Sequence, residues 1–314
     1  MTGILASELT SFLRTSVEPQ VQADAIGQGA IFALMAVGIG LVFGVLRLVN
    51  FAYGQLIMAG AFALAIASQQ GWPVWVGIVL CFAVVLALTL AMDRVVFRPL
   101  RTQSPATMLV ATFAVSFLLQ SVALLVDQRD NTLGEPAASL AQLIQPWSIF
   151  GTEVRKITVV SIVTAAVCLG ALMLFLGRTA VGLQMRAASM DFETARLLGV
   201  RANRVVGSAV LISGLLAAIV AVLLTVQQPI VTKDFAFFET IVVLAGVVLG
   251  GMNRLLSATL GGFAIGYVSG LLGGALPSAQ SQYLPSFLFG LVIVVLVVRP
   301  QGLFTRGRGP VERV

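Results

Sequence analysis

Between Asp24 and Arg47 lie 22 consecutive residues without a charge. A helix of that length rises about 33 Å, enough to cross the roughly 30 Å hydrocarbon core of a bilayer. The pattern recurs along the chain. Arg47 to Arg94 is long enough for two such runs, broken at Ser68-Gln69-Gln70-Gly71-Trp72-Pro73. Arg101 to Asp127, Lys156 to Arg178 and Arg204 to Lys233 each enclose one. Arg254 to Arg299 encloses 44 uncharged residues, with Gly273-Gly274 and Pro277 through Pro285 marking a break between two. Glu239 to Arg254 encloses only 14, about 21 Å of helix, so either Glu239 enters the membrane or this is a half-span. Counting it, the spans fall near 25–46, 51–68, 74–92, 106–126, 157–177, 205–227, 236–252, 256–274 and 284–298.

Composition fits. Charged residues make up 10% of the chain, against roughly 25% in a globular domain, too few to cover a water-facing surface. The expected fold is all-α: one polytopic membrane domain over residues 1–314 with eight or nine transmembrane helices. Basic residues orient it. With the N-terminus outside, 14 of the 19 Lys and Arg residues fall inside, leaving Arg14, Arg129, Arg155, Lys156 and Lys233 outside. That bias predicts an outer N-terminus and a cytoplasmic C-terminus. It also explains the net charge of +6 without nucleic acid. Residues 1–23 place Leu5, Leu9, Phe12 and Leu13 on one helical face, which suggests a segment lying in the outer interface. Residues 127–156 read as an outside loop.

Catalysis has little to work with. There is no histidine, and Cys81 and Cys168 lie in apolar runs, so no zinc cage, disulfide scaffold or His-based triad is available. No phosphate-binding glycine loop with Lys-Ser/Thr is present, and no cofactor is expected. Glycine pairs four apart (Gly40/Gly44, Gly246/Gly250, Gly266/Gly270) allow close helix crossings, read here as packing within the chain. Thr112, Ser116 and Gln120, at four-residue spacing, share one face of the fourth span, which must look inward because lipid cannot satisfy an amide. They fit either interhelical hydrogen bonds or a polar pathway. Gln28, Asn50, Tyr53, Gln55 and Glu239 raise the same question. Lys233, Asp234 and three nearby phenylalanines favour the outer interface for Glu239 over the pathway.

The loop 178–204 is the most specific element. Met185, Ala188, Phe192, Ala195 and Leu198 recur at helical spacing, opposite Arg186, Asp191, Glu193 and Arg196. A short amphipathic helix ending at Gly199 predicts a docking knob whose apolar face seats in a partner.

Met185-Arg186-Ala187, Asp191, Ala195 and Leu198-Gly199-Val200 resemble the coupling segment of ABC-importer permeases. Gly44-Val-Leu-Arg47-Leu-Val-Asn50-Phe51-Ala52-Tyr53-Gly54, Val248-Leu249-Gly250-Gly251 and Arg299-Pro300-Gln301-Gly302-Leu303-Phe304 extend the likeness over nearly the whole chain. The chain resembles the smaller membrane subunit of the branched-chain amino-acid permease family. It departs at Tyr53, where the family usually has His, and at Met252-Asn253-Arg254 after Gly250-Gly251. The resemblance implies a bacterial inner-membrane protein with four kinds of neighbour: a second homologous permease, two ATP-binding cassette subunits, a periplasmic substrate-binding protein and membrane lipid. It implies coupling through Arg186, Ala187, Asp191, Ala195 and Gly199. Asn50, Tyr53, Thr112, Ser116, Gln120 and Glu239 are the pathway candidates. Relatives of this architecture carry urea, short amides or other small solutes. A self-contained channel or secondary carrier is the reading from another class; it would need an ion site, for which only Glu239 offers an acid.

Overall fold

The computed structural model describes residues 15–46, 49–100, 103–130, 146–149, 152–190, 192–251, 254–276 and 283–299. The helices in chain order are α1 (Pro19–Leu46), α2 (Tyr53–Gln69), α3 (Val74–Leu100), α4 (Pro105–Asp130), α5 (Lys156–Arg178), α6 (Ala180–Met190), α7 (Phe192–Leu197), α8 (Ala202–Gln227), α9 (Phe237–Gly250), α10 (Leu255–Ala275) and α11 (Leu284–Val298). Each apolar run of the sequence coincides with one helix. Six of them, α1, α3, α4, α5, α8 and α10, are long and apolar enough to cross a membrane, whereas α2, α9 and α11 are shorter.

Local chemistry sets the boundaries. Gly71 takes a left-handed φ of +68° in the turn between α2 and α3, and Pro73 closes it. Ser104 caps α4 by accepting the Thr107 N–H at 3.2 Å, with Pro105 at the first helical position. α1 begins at Pro19, earlier than expected, so the predicted interfacial segment 1–23 gives up its last residues to a span; residues 1–14 lie outside the described residues. The reason is that the polar residues of the first turns find partners. Gln22 accepts from the Tyr267 hydroxyl at 2.5 Å, and Asp24 accepts from Thr158 at 2.6 Å and pairs with Arg155 at 3.4 Å. In the loop before α5 of this otherwise helical chain, β1 (Pro146–Ile149) and β2 (Thr152–Arg155) pair antiparallel.

α1 and α8 form the centre of the bundle, with 78% and 72% of their apolar windows buried. α2 lies beside them, with Tyr53, Leu56, Ile57 and Met58 removed from solvent. The outer helices α3, α4 and α5 bury about a fifth of theirs, so their apolar faces are left for lipid or other subunits. Glycine brings the inner helices together. A Cβ on Gly246 would stand 2.5 Å from Ile265 Cγ2, and one on Gly250 would strike the Ser257 carbonyl, so α9 and α10 cross backbone to backbone. Gly266 and Gly270 sit within 2.9 Å of α1 backbone atoms in the same sense. These glycine pairs therefore pack within the chain.

α9 is only 14 residues long, as short as the charge-free run after Glu239 implied. Ala221 of α8 abuts Gly60 of α2, whereas Ala236, just before α9, abuts Gly54, with its carbonyl 2.7 Å from a Cβ built there. The chain leaves α8 at Gln227 and descends only a short way before α9 starts, since Glu239 in the first turn of α9 still reaches Gln228 Nε2 at 3.2 Å. Val231, Phe235 and Ala236 are buried along this descent, and Ala236 turns the chain with φ +60°, the one non-glycine residue with positive φ among the described residues.

Candidate functional site

Three places gather the functional candidates. The first is the segment between α5 and α8. Thr179 accepts the Gly182 N–H at 3.0 Å and caps α6 directly after α5 ends. A Cβ on Gly182 would lie 2.5 Å from Leu176 Cα, so glycine lets α6 fold tightly back on α5. Helix is seen on both sides of Asp191, as α6 (Ala180–Met190) and α7 (Phe192–Leu197), and Asp191 itself lies outside the described residues. Gly199 has φ +88°, and the Val200 N–H reaches the Ala195 carbonyl at 3.1 Å, a six-to-one closure around a left-handed glycine.

The face of this segment differs from expectation. Met185, Ala188 and Ala195 are buried against the chain's own bundle, where α6 packs on α1, α5 and α8. Three of the five stripe residues therefore need no partner groove, whereas Leu198 stays open. Helical spacing marks an apolar stripe but not the neighbour that covers it. Outward stand Arg186 and Ala187 together with Leu183, Met190, Leu197 and Leu198, the last 81% exposed. That mixed surface is what a docking subunit would meet.

The second place is the start of α2. Asn50, 2% exposed, accepts the Ala52 N–H on Oδ1 at 3.0 Å. Thr112 of α4 accepts the Phe51 N–H at 3.4 Å and donates to Leu109, while Phe51 stacks on Phe113 at 4.1 Å between centroids. Ser116, one turn further along α4, is buried, and Gln120 is half-buried beyond it. The α4 polar face does look inward. Tyr53 is fully buried, with its hydroxyl against Gly38, and Gln55 is fully buried on the same first turn of α2. Neither the Tyr53 hydroxyl nor either amide atom of Gln55 has a hydrogen-bond partner, and the Ser161 hydroxyl of α5 is in the same state. Buried polar groups are nearly always paired, and leaving one unpaired costs about 1–3 kcal/mol. The first turns of α2 and α9 meet at this point through Gly54, Ala236 and Thr240.

The third place is the open side of that same α9 turn, which carries Glu239. Glu239 lies in the first turn of α9, half-buried, and accepts from Gln228 Nε2 at 3.2 Å. The carboxylate opens on a cavity of about 410 Å³ lined by Pro229, Thr232, Asp234 and Phe238. Access to water and the positive end of α9 both suit its charge. Glu239→Gln is therefore expected to keep uptake within about twofold of wild type, measured per inserted protein; a tenfold loss, equal to about 1.4 kcal/mol, would move Glu239 into the pathway.

Asp93 was not singled out by its sequence context. Its side chain is 3% exposed in a π turn, Asp93–Phe97, near the end of α3, and it accepts from Arg98 Nε at 3.0 Å. The five-residue spacing of the pair becomes a contact only on a π turn, so ordinary helical periodicity hides it.

A glycine-packed bundle of apolar helices, six of them long enough to cross a bilayer, defines a polytopic membrane protein. Residues 22–297 match the family model described as the branched-chain amino acid transport system / permease component, and the chain belongs to that family. It is 29% identical to the high-affinity branched-chain amino acid transport system permease protein BraD of Pseudomonas aeruginosa, over 94% of this chain and 97% of that one. It is 27% identical to LivH of Escherichia coli K12, a permease protein of the same kind of system, with the same coverages. Among solved structures it superposes with a TM-score of 0.54 on an inward-facing ABC transporter assigned to the metal-chelate type, at 17% identity over 95% of this chain and 99% of the other. That likeness concerns the fold. Membership of the family places the chain in the inner membrane, as a permease component of an ABC transporter.

Proposed function

We propose that this chain forms half of the translocation pathway of an importer for branched-chain amino acids, working with a second permease, two ATP-binding cassette subunits and a periplasmic binding protein. The near full-length likeness to BraD and LivH carries this reading. Arg186, Ala187, Asp191, Ala195 and Gly199 belong to the segment that receives the ATPase stroke. Arg186 and Ala187 present the contact, Ala195 anchors the segment to the bundle, and Gly199 fixes the exit toward α8. Asn50, Tyr53, Thr112, Ser116 and Gln120 line the route, and Glu239 stands at its outer mouth. The unpaired Tyr53 and Gln55 groups support this assignment, because a pathway that opens gives them water or substrate to bond.

The chain itself binds no ATP in this reading and performs no covalent chemistry. Its work is to convert cytoplasmic motion into alternating access. Tyr53→Phe removes one orphaned hydroxyl, so it is expected to raise or preserve protein yield while lowering uptake several-fold. Unchanged uptake would take Tyr53 out of the route. The orientation is outer N-terminus and cytoplasmic C-terminus. With Cys81 buried and Cys168 within apolar α5, Gln70→Cys should react with an impermeant thiol reagent in intact cells and Gln103→Cys only after permeabilisation. The reverse pattern would invert the topology.

A further inference from the structure

A cleft of about 360 Å³ opens where the ends of α1, α5 and α9 meet α6 and the start of α10. Its wall is apolar: Leu41, Phe43, Leu176, Met185, Val247 and Leu256 line it. Two arginines, Arg186 from α6 and Arg254 from the turn before α10, stand at the same cleft, and both are exposed. Neither guanidinium has a carboxylate in ion-pair range among the described residues. Ion pairs seen among the described residues, such as Asp93–Arg98, Asp24–Arg155 and Lys233–Asp234, involve neither arginine. Gly44 keeps the α1 side of the cleft open, since a Cβ there would find its nearest neighbour, Ser189 Cβ, at 3.9 Å.

The position defines the occupant. The cleft lies at the helix ends where basic residues concentrate, which is the boundary between hydrocarbon and water on the cytoplasmic side. A water-filled apolar cleft is unfavourable there, and two arginines with no carboxylate partner among the described residues attract an anion. One molecule class satisfies both: an amphiphile with apolar chains and a phosphate diester. Basic pockets between transmembrane helices on the cytoplasmic side bind anionic headgroups by this logic. Arginine suits the task because its planar donors match phosphate oxygens.

We infer that this cleft holds one anionic phospholipid of the cytoplasmic leaflet, with an acyl chain along α1 and α10 and the phosphate between Arg186 and Arg254. Such a lipid would bridge the membrane bundle and the α6 segment. The inference rests on the cytoplasmic orientation of this end proposed above and not on the transported solute.

The test uses the assembled transporter in detergent, delipidated and then offered dioleoyl-phosphatidylglycerol or dioleoyl-phosphatidylcholine, with bound lipid counted by native mass spectrometry. Arg254 is varied because Arg186 is assigned to coupling. Wild type is expected to retain phosphatidylglycerol at least tenfold better than phosphatidylcholine. Arg254→Gln is expected to erase most of that preference. Gly44→Leu, which fills the cleft and leaves both charges, is expected to displace the lipid as well. Equal retention of the two lipids by wild type would overturn the inference. So would normal retention by Gly44→Leu in a correctly assembled complex, which would reduce the site to a charged surface. A photoreactive residue at position 256 that cross-links to a protein subunit instead of lipid would assign the cleft to a partner and overturn it too. Because assembly is read by size-exclusion in the same samples, failure of the lipid site is distinguishable from a wrong topology, which Gln70→Cys and Gln103→Cys report separately.

Discussion

Replacing Gly199 with proline is expected to cut ATP-driven uptake at least tenfold while membrane insertion stays normal. Gly199 sits at φ +88°, and proline holds φ near −65°, so the backbone cannot keep its path. The loss is conformational, not steric, because a Cβ at this position meets nothing within 4 Å. What fails is the closure of Val200 N–H on Ala195 C=O, and with it the angle at which α7 is handed to α8. Gly199→Ala provides the graded case. A left-handed alanine costs about 1–2 kcal/mol, so a smaller uptake defect is expected. Asp191→Arg should resemble the proline variant by setting a like or unpaired charge against the partner subunit. ATPase activity and uptake, both measured per assembled complex, check the point. A Gly199→Pro complex that assembles and transports at the wild-type rate would remove residues 182–200 from the coupling role.

Gly261→Leu is expected to lower the yield of folded protein at least tenfold. Here the obstruction is backbone: a Cβ on Gly261 strikes the Gly246 carbonyl and stands 2.6 Å from Gly250 Cα and N. Overpacking commonly costs about 1–3 kcal/mol, and a backbone neighbour cannot rotate away, which puts this site at the top of that range or above it. A loss of only 1.4 kcal/mol is already tenfold in an equilibrium. Gly170→Leu on α5 is the control, since nothing lies within 4 Å of its Cβ position and the substitution should be tolerated. Fluorescence-detected size-exclusion of the two variants reads the difference. Equal monodisperse peaks would mean that α9 and α10 do not cross as closely as described.

The helices were legible because lipid imposes one strong rule, that charge is excluded from the spanning runs. The shortness of α9 also followed from arithmetic, since only 14 uncharged residues lie between Glu239 and Arg254. The left-handed Gly199 was legible too, because glycine at the end of an amphipathic run has a specific backbone use. What stayed hidden depends on three-dimensional neighbours. Of the stripe Met185, Ala188, Phe192, Ala195 and Leu198 that looked like a docking face, the chain's own bundle covers Met185, Ala188 and Ala195 and leaves Leu198 exposed. The Asp93–Arg98 contact needs a π turn that no periodicity announces. The hairpin of residues 146–155 is too short, and too crowded with turn residues, to show alternation. The orphaned Gln55 amide was one of several polar residues at depth, and only packing separates it from those with partners.

The most direct test of the whole account is uptake into proteoliposomes. The vesicles would contain this chain with its second permease and ATPase subunits, supplied with the binding protein and radiolabelled leucine, isoleucine or valine. Accumulation that requires both internal ATP and the binding protein, and that is lost when this chain is omitted, is the expected result. Solute movement through this chain alone without ATP, or ATP-driven accumulation of urea or short amides but not of the three amino acids, would contradict it.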